Sequence, residues 1–453
     1  MFYYIERVLI LSLGIIFVIQ QLTGWAWLST LLSLFVLANL FVHLPRIRGT
    51  VQVLSITFLV IGIAIMFYQQ ASIQEWEEAA TLNTTLITLF VFAPLFGIPV
   101  RSPVYVSALK QFYQKSIKGG VSFFVASQLL TNILAVFLNV GSISIVHHLV
   151  SIHKSSRSWQ IVTTALTRGF ASAILWSPYF AAMALLSSAL DIKWVELLPY
   201  LLGFCVIYIF ISLVMDLPLL RIEVEVGDRL DNSERVVFVE GSTIKRLYSL
   251  VGYLVFAMVL ILSLERIVKM PMVLIVSLTA VVYPLVWCIS TRSWFLYKQG
   301  IKDHITRNLP SLKKEITLFL TAGFFSGAMA QTNLGMWIPD LLSVFPVPIA
   351  LGFTLTSLLL IVLTSSIGAH PIILISILVT TVNPSSVEIT PEYFAILLLG
   401  SWSISNIISP ASAVNNLLAN FVGKDVFQIA RLNYKFSAVL LMVLPIYLYI
   451  IVL

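Results

Sequence analysis

The sequence predicts an all-α polytopic membrane protein of two inverted-topology repeats, each with a re-entrant hairpin and a broken helix, about 11 transmembrane elements in all. Three observations predict it. The side chains are 59% apolar and only 10% charged, with a mean hydropathy of +0.98, too apolar for a soluble domain to keep a wettable surface. Two distant stretches resemble one another, Trp176-Ser177-Pro178-Tyr179 before Leu185-Leu186, and Ile408-Ser409-Pro410-Ala411 before Leu417-Leu418. Each interrupts a long apolar segment, and each is preceded by a shorter apolar pair turning at a Gly/Ser-rich point. Broken helices at matching positions of two halves supply the polar backbone that a binding site inside a bilayer needs.

The elements follow in order. Residues 1–24 form an N-terminal helix, whose apolar run Ile5 to Leu22 is followed at once by another span and so reads as retained, not as a cleaved leader. The first repeat, 25–216, has spans at 25–43, 50–68 and 81–98, a polar arm at 101–119, a re-entrant hairpin at 120–151, a broken helix at 158–190 and a span at 195–216. A charged cytoplasmic linker takes 217–245. The second repeat, 246–453, has spans at 247–264, 271–290 and 315–332, an arm at 333–346, a re-entrant hairpin at 347–383, a broken helix at 388–421 and a last helix at 434–453. The first hairpin is read as re-entrant from its length: two equal arms would each rise about 24 Å, against a hydrocarbon core of about 30 Å.

The net charge of +7 is explained by orientation, without a nucleic-acid partner. With both hairpins re-entrant, Arg7, Arg46, Arg48, Arg101, Lys110, Lys118, Lys154, Arg157, Arg229, Arg235, Lys245, Arg292, Lys313, Lys314, Lys424 and Arg431 share one face with most other basic residues, whereas only Lys193, Arg266 and Lys269 lie on the other. Short cytoplasmic loops collect Lys and Arg, so the N-terminus is expected inside the cell membrane. Cys205 and Cys288 both fall within spans, where thiols act as small apolar groups.

At the first hairpin tip, Asn139, Gly141, Ser142 and Ser144 offer polar groups where the chain reverses, with Gly141 permitting the turn. Free N–H groups at the start of the returning arm suit an oxyanion; a satisfied turn between packed helices is the plainer account. The second tip holds Ser365, Ser366, Gly368 and His370, then Pro371 at the start of the returning arm. His370 is either a proton carrier or a hydrogen-bonded structural group. His147 and His148 belong near the cytoplasmic mouth.

At the breaks, Pro178 and Pro410 each remove an N–H and free a carbonyl one turn earlier. Those carbonyls, with the hydroxyls of Ser172, Ser177, Ser405, Ser409 and Ser412, are hard oxygen ligands suited to sodium; simple proline kinks are the alternative. Asn406, Asn415 and Asn416 surround the second break, either to meet a solute or to join helices. Arg168, inside a span, either attracts an anion or snorkels to the cytoplasmic interface. Intramembrane carboxylates are nearly missing, the nearest being Asp191, Glu265 and Asp340 at the outer surface. No phosphate loop, zinc signature or cysteine pair is present, so no cofactor or metal is expected.

The stretch Ile408-Ser-Pro-Ala-Ser-Ala-Val-Asn-Asn-Leu-Leu418 with Phe421-Val-Gly-Lys-Asp425 resembles the Ser-Pro-x-Ser-Ala segment of the citrate-type branch of the ion transporter superfamily. That superfamily also holds the divalent anion:sodium symporters and the arsenite permeases. The resemblance covers the architecture from about 25 to 453. It implies an elevator-type carrier whose hairpins and broken helices move against a scaffold that often dimerises. The Ser-Asn-Thr tip of the sodium-coupled dicarboxylate branch is absent, which leaves substrate and coupling ion undetermined.

The expected function is thus secondary active transport of a small organic or inorganic anion with a sodium ion or proton, not enzymatic catalysis. The partners are the lipid bilayer, the solute and, as an assembly, a homodimer. The rival is an envelope protein handling polyprenyl-linked lipids or glycans as polymerase, ligase or flippase, which would need a larger and more charged outer face.

Overall fold

The computed structural model describes residues 2–117, 119–151, 159–227, 241–332 and 334–451. Lys118, Lys154, Arg157, Arg229 and Arg235, counted above toward orientation, lie outside the described residues, as do Leu453 and the middle of the linker. The described chain is helical, and twelve of its helices are long and apolar enough to cross a membrane. Both entering arms of the hairpins belong to those twelve. The expected span 315–332 does not: it is Lys313–Ala330, with Lys313, Lys314 and Glu315 in its first turn.

The two hairpins turn off-centre. The first runs Gly120–Leu138 and then Gly141–Ser151; the second runs Ile349–Ser366 and then Ile372–Thr381. Arms of 19 and 11 residues replace the equal arms expected. At 1.5 Å per residue the entering arm rises about 28 Å, so arm length does not bar it from crossing; the returning arm, at about 16 Å, is too short. A second correction concerns the linker. The helix expected to stop at 216 continues to Gly227, because Pro218, the nearest helix breaker, is absorbed in its interior.

The broken helices are Trp159–Trp176 with Ala181–Leu190, and Pro391–Ile408 with Ala413–Val422. All four boundaries of the first helix recur in the second at the interval that separates Pro178 from Pro410. Local chemistry explains the ends: Thr390 caps the second helix by accepting the Tyr393 N–H at 3.1 Å, with Pro391 in the first turn, where a missing N–H is harmless. Gly423 closes it in the left-handed conformation at φ +64°, which glycine adopts without a Cβ penalty.

Packing then crosses the halves. Ala181–Leu190 packs against the returning arm Ile372–Thr381, and Ala413–Val422 packs against the returning arm Gly141–Ser151, with His147 stacked on Phe421 at 4.6 Å. Within the first half the entering arm lies along Trp159–Trp176. Gly169 allows this approach, since a Cβ there would collide with the Gln128 carbonyl. Trp27–His43 and Thr50–Tyr68 pack on Lys313–Ala330, and Phe2–Thr23 packs on Trp27–His43 and on Thr84–Phe92, with Glu6 facing Arg46 at 3.6 Å.

Candidate functional site

The first tip reverses at Asn139, not at Gly141. Asn139 takes a positive φ of +49° with ψ −136°, a turn conformation that glycine enters most freely and asparagine more readily than most other residues. Its Oδ1 accepts the Val140 N–H at 2.8 Å, and its carbonyl accepts both the N–H and the hydroxyl of Ser142. Ser142 is therefore turned into the chain, whereas Ser144 is exposed on the returning arm. Gly141 serves another purpose. A Cβ there would stand 2.9 Å from the Arg101 guanidinium, so the missing side chain lets a cation lie over the tip. Among the described residues Arg101 has no ion-pair partner.

The second tip reverses at Gly368, φ +103°, beside the second break, where an added Cβ would touch the Pro410 ring at 3.8 Å. Ser366 donates to the Leu363 carbonyl. Ser365 is fully buried with its hydroxyl unpartnered. The His370 ring lies edge-on to Phe319 and Trp402, 5.2 and 5.8 Å between centroids, and its Nδ1 accepts the Ile372 N–H at 3.2 Å. That bond places His370 as a cap on the returning arm.

At the first break, Ser177 is buried and donates to the Val136 carbonyl at 3.4 Å, next to the first tip, while accepting the Tyr179 N–H. Ser172 donates to the Gly169 carbonyl and accepts from Asn132 at 2.8 Å. At the second break, Ser409 accepts the Ala411 N–H. Ser405 donates to the Trp402 carbonyl, and Ser412 to Asn406 Oδ1. Asn415 is buried beneath the break, and Asn416, exposed, donates to the Pro410 and Ser412 carbonyls. Each tip thus meets its own break.

Arg168 neither snorkels nor stands free. It is 2% exposed and pairs with Asp216 at 3.0 Å, donating also to Asn433 Oδ1 at 2.8 Å and to Ser212, with the guanidinium 4.3 Å from the Phe436 ring centre. A carboxylate inside the protein therefore exists, one that the sequence reading placed at the end of a span. Asn433 in turn donates to Thr167 and to the Ile407 carbonyl at the second break. The network ties the first half to the second.

No protein-family description matches the chain, and no curated protein matches it by sequence. Among solved structures, the YdaH transporter of Alcanivorax borkumensis, reported as having an unusual topology, aligns over 87% of this chain and 97% of its own, with a TM-score of 0.55 and 16% identity. The chain has the fold of a membrane transporter. At that identity the likeness is one of fold.

Proposed function

We propose that this protein is a secondary active transporter, not an enzyme, moving a small organic or inorganic anion across the cytoplasmic membrane with sodium or protons, N-terminus inside. One observation carries the reading: two hairpin tips meet two proline-broken helices whose ends all repeat at one and the same interval. Broken helices free backbone oxygens and N–H groups that a bilayer cannot satisfy, so the arrangement is retained where it handles a polar solute. The anion is suggested by Arg101, whose guanidinium overlies the start of the Gly141–Ser151 arm, where helix N–H groups also attract negative charge. The crosswise packing of each exit helix on the other half's returning arm supports inverted repeats and an elevator-type movement of that unit. Kinship with the ion transporter superfamily is part of the same proposal and rests on the Ser409-Pro410 segment.

Thermal unfolding of the detergent-purified protein tests this. A ligand that binds only the folded state stabilises it by RT ln(1 + [L]/Kd), about 2.7 kcal/mol at a hundredfold excess over Kd. Carboxylates, oxyanions and polyprenyl phosphates are each added with and without sodium. A midpoint raised by one small anion, and further by sodium or lower pH, is expected; a rise from the lipid phosphates alone would replace this reading with the envelope-lipid one.

A further inference from the structure

At the second break the chain turns one of its own amides onto three backbone oxygens, of which the proline frees one. The Ile407 carbonyl also accepts from Asn433, and the Ser409 carbonyl also accepts the Ser412 N–H. Pro410 offers no N–H to the Asn406 carbonyl one turn back. Instead, Nδ2 of Asn415 lies 3.3 Å from that carbonyl oxygen, 3.1 Å from that of Ile407 and 2.9 Å from that of Ser409. Asn415 is fully buried, and its Oδ1 has no hydrogen-bond partner. Three acceptors around one nitrogen fix which way the amide faces, since only the NH2 end can meet them. An NH2 has two protons for these three oxygens. Convergent carbonyls of an unwound helix are also the set of hard ligands that holds a dehydrated cation.

The first break is built differently. Pro178 frees the Ile174 carbonyl in the same way, but the residue in the first helix that corresponds to Asn415 is Met183, whose thioether has no proton to donate. The sodium-ligand expectation for both breaks thus meets a chemical asymmetry between two otherwise matching helices.

We propose that the Asn415 amide permanently takes the place of a cation at the second break, which confines any cation coupling to the first. Its mechanistic meaning rests on the transporter reading; its test does not need transport. Asn415→Asp would set an acceptor-only group among three carbonyls, a cluster that a small cation satisfies and water does so less well. Asn415→Gly would remove the amide and leave the carbonyls.

The full chain is purified in detergent as wild type, Asn415→Asp and Asn415→Gly, and unfolded thermally in sodium chloride or in choline chloride of equal ionic strength. Expected is a lower midpoint for the variants in choline and a rise with the logarithm of sodium concentration that exceeds any wild-type response. Identical sodium dependence in all three would overturn the proposal and leave the amide as a structural brace. If Asn415→Asp does not fold, Asn415→Gly carries the same comparison, and failure of both to recover in sodium also overturns it. A wild type that transports no solute would sink the transporter reading while leaving the sodium comparison intact.

Discussion

The Ser403 hydroxyl donates to the Ala171 carbonyl at 2.8 Å, and these two residues stand at the very interval that separates Pro178 from Pro410. Two positions related by a two-fold rotation can touch only near its axis. The contact therefore marks where the broken helices cross and where a pseudo-two-fold axis would run. Ser403→Ala should lose about 1 kcal/mol, the net worth of one hydrogen bond. Ser403→Leu, overpacking a fully buried crossing, should cost about 1–3 kcal/mol and slow transport. Chemical unfolding in detergent checks both.

The inverted arrangement predicts that the two tips open to opposite sides. Gly141 and Gly368 are poor sites for a cysteine probe, one beside Arg101 and the other at positive φ. Val140 and the exposed Ile367 avoid both problems, and native Cys205 and Cys288 are buried. Membrane-impermeant thiol reagents should label a cysteine at 140 from the cytoplasmic side and one at 367 from outside. Labelling of both from one side would contradict inverted repeats.

Removing one partner of a buried ion pair strands the other charge, typically at about 3–5 kcal/mol. Arg168→Gln and Asp216→Asn should each destabilise by roughly that amount, with the arginine change also releasing Asn433 from the network. The double variant should cost clearly less than the sum. A double-mutant cycle by thermal unfolding reads this coupling, and strict additivity would show that the pair acts independently.

Arg101 is predicted to recognise charge without carrying the fold. Arg101→Gln should leave the unfolding midpoint of the ligand-free protein nearly unchanged and weaken anion stabilisation by about tenfold or more, the loss of one charge-assisted contact. Arg101→Lys should recover part of it. Ligand titrations followed by the unfolding midpoint distinguish these outcomes, and equal anion affinity in all three proteins would remove Arg101 from the site.

Acid should loosen the scaffold at His304. Burial pushes its imidazole down to about 4, helped by nearby Arg101, and Nε2 bonds the Val91 carbonyl at 2.8 Å while Nδ1 has no partner. The folded state thus holds the second proton more weakly than the unfolded chain. Its stability is complete above about pH 6.5 and falls as the pH drops toward 4, by up to about 3 kcal/mol. His304→Gln should flatten that part of the stability profile.

The breaks at Ser177-Pro178 and Ser409-Pro410 were legible because proline cannot continue a helical hydrogen-bond ladder and leaves a mark that needs no tertiary context. What lay hidden depended on partners far apart in sequence. Arg101 meets Gly141 only after the whole entering arm Gly120–Leu138 has intervened, and Asn433 comes to Arg168 from the opposite half of the chain. Asp216 went unnoticed because charges following it suggested the end of a span, although the helix runs on to Gly227. The rule that glycine makes reversals failed at Asn139 for a physical reason. Asparagine tolerates the same dihedral, and Gly141 was needed for space.

The exit helix of each half leans on the returning arm of the other, Ala181–Leu190 on Ile372–Thr381 and Ala413–Val422 on Gly141–Ser151. Each returning arm then loses part of its packing without the other half, and either half expressed alone should be less stable than the two co-expressed. The same crossing makes the two mouths mechanically interdependent. A hairpin that swings open on one side must push on the helix bracing the opposite one, so a leak through both at once would require the shared packing to come apart.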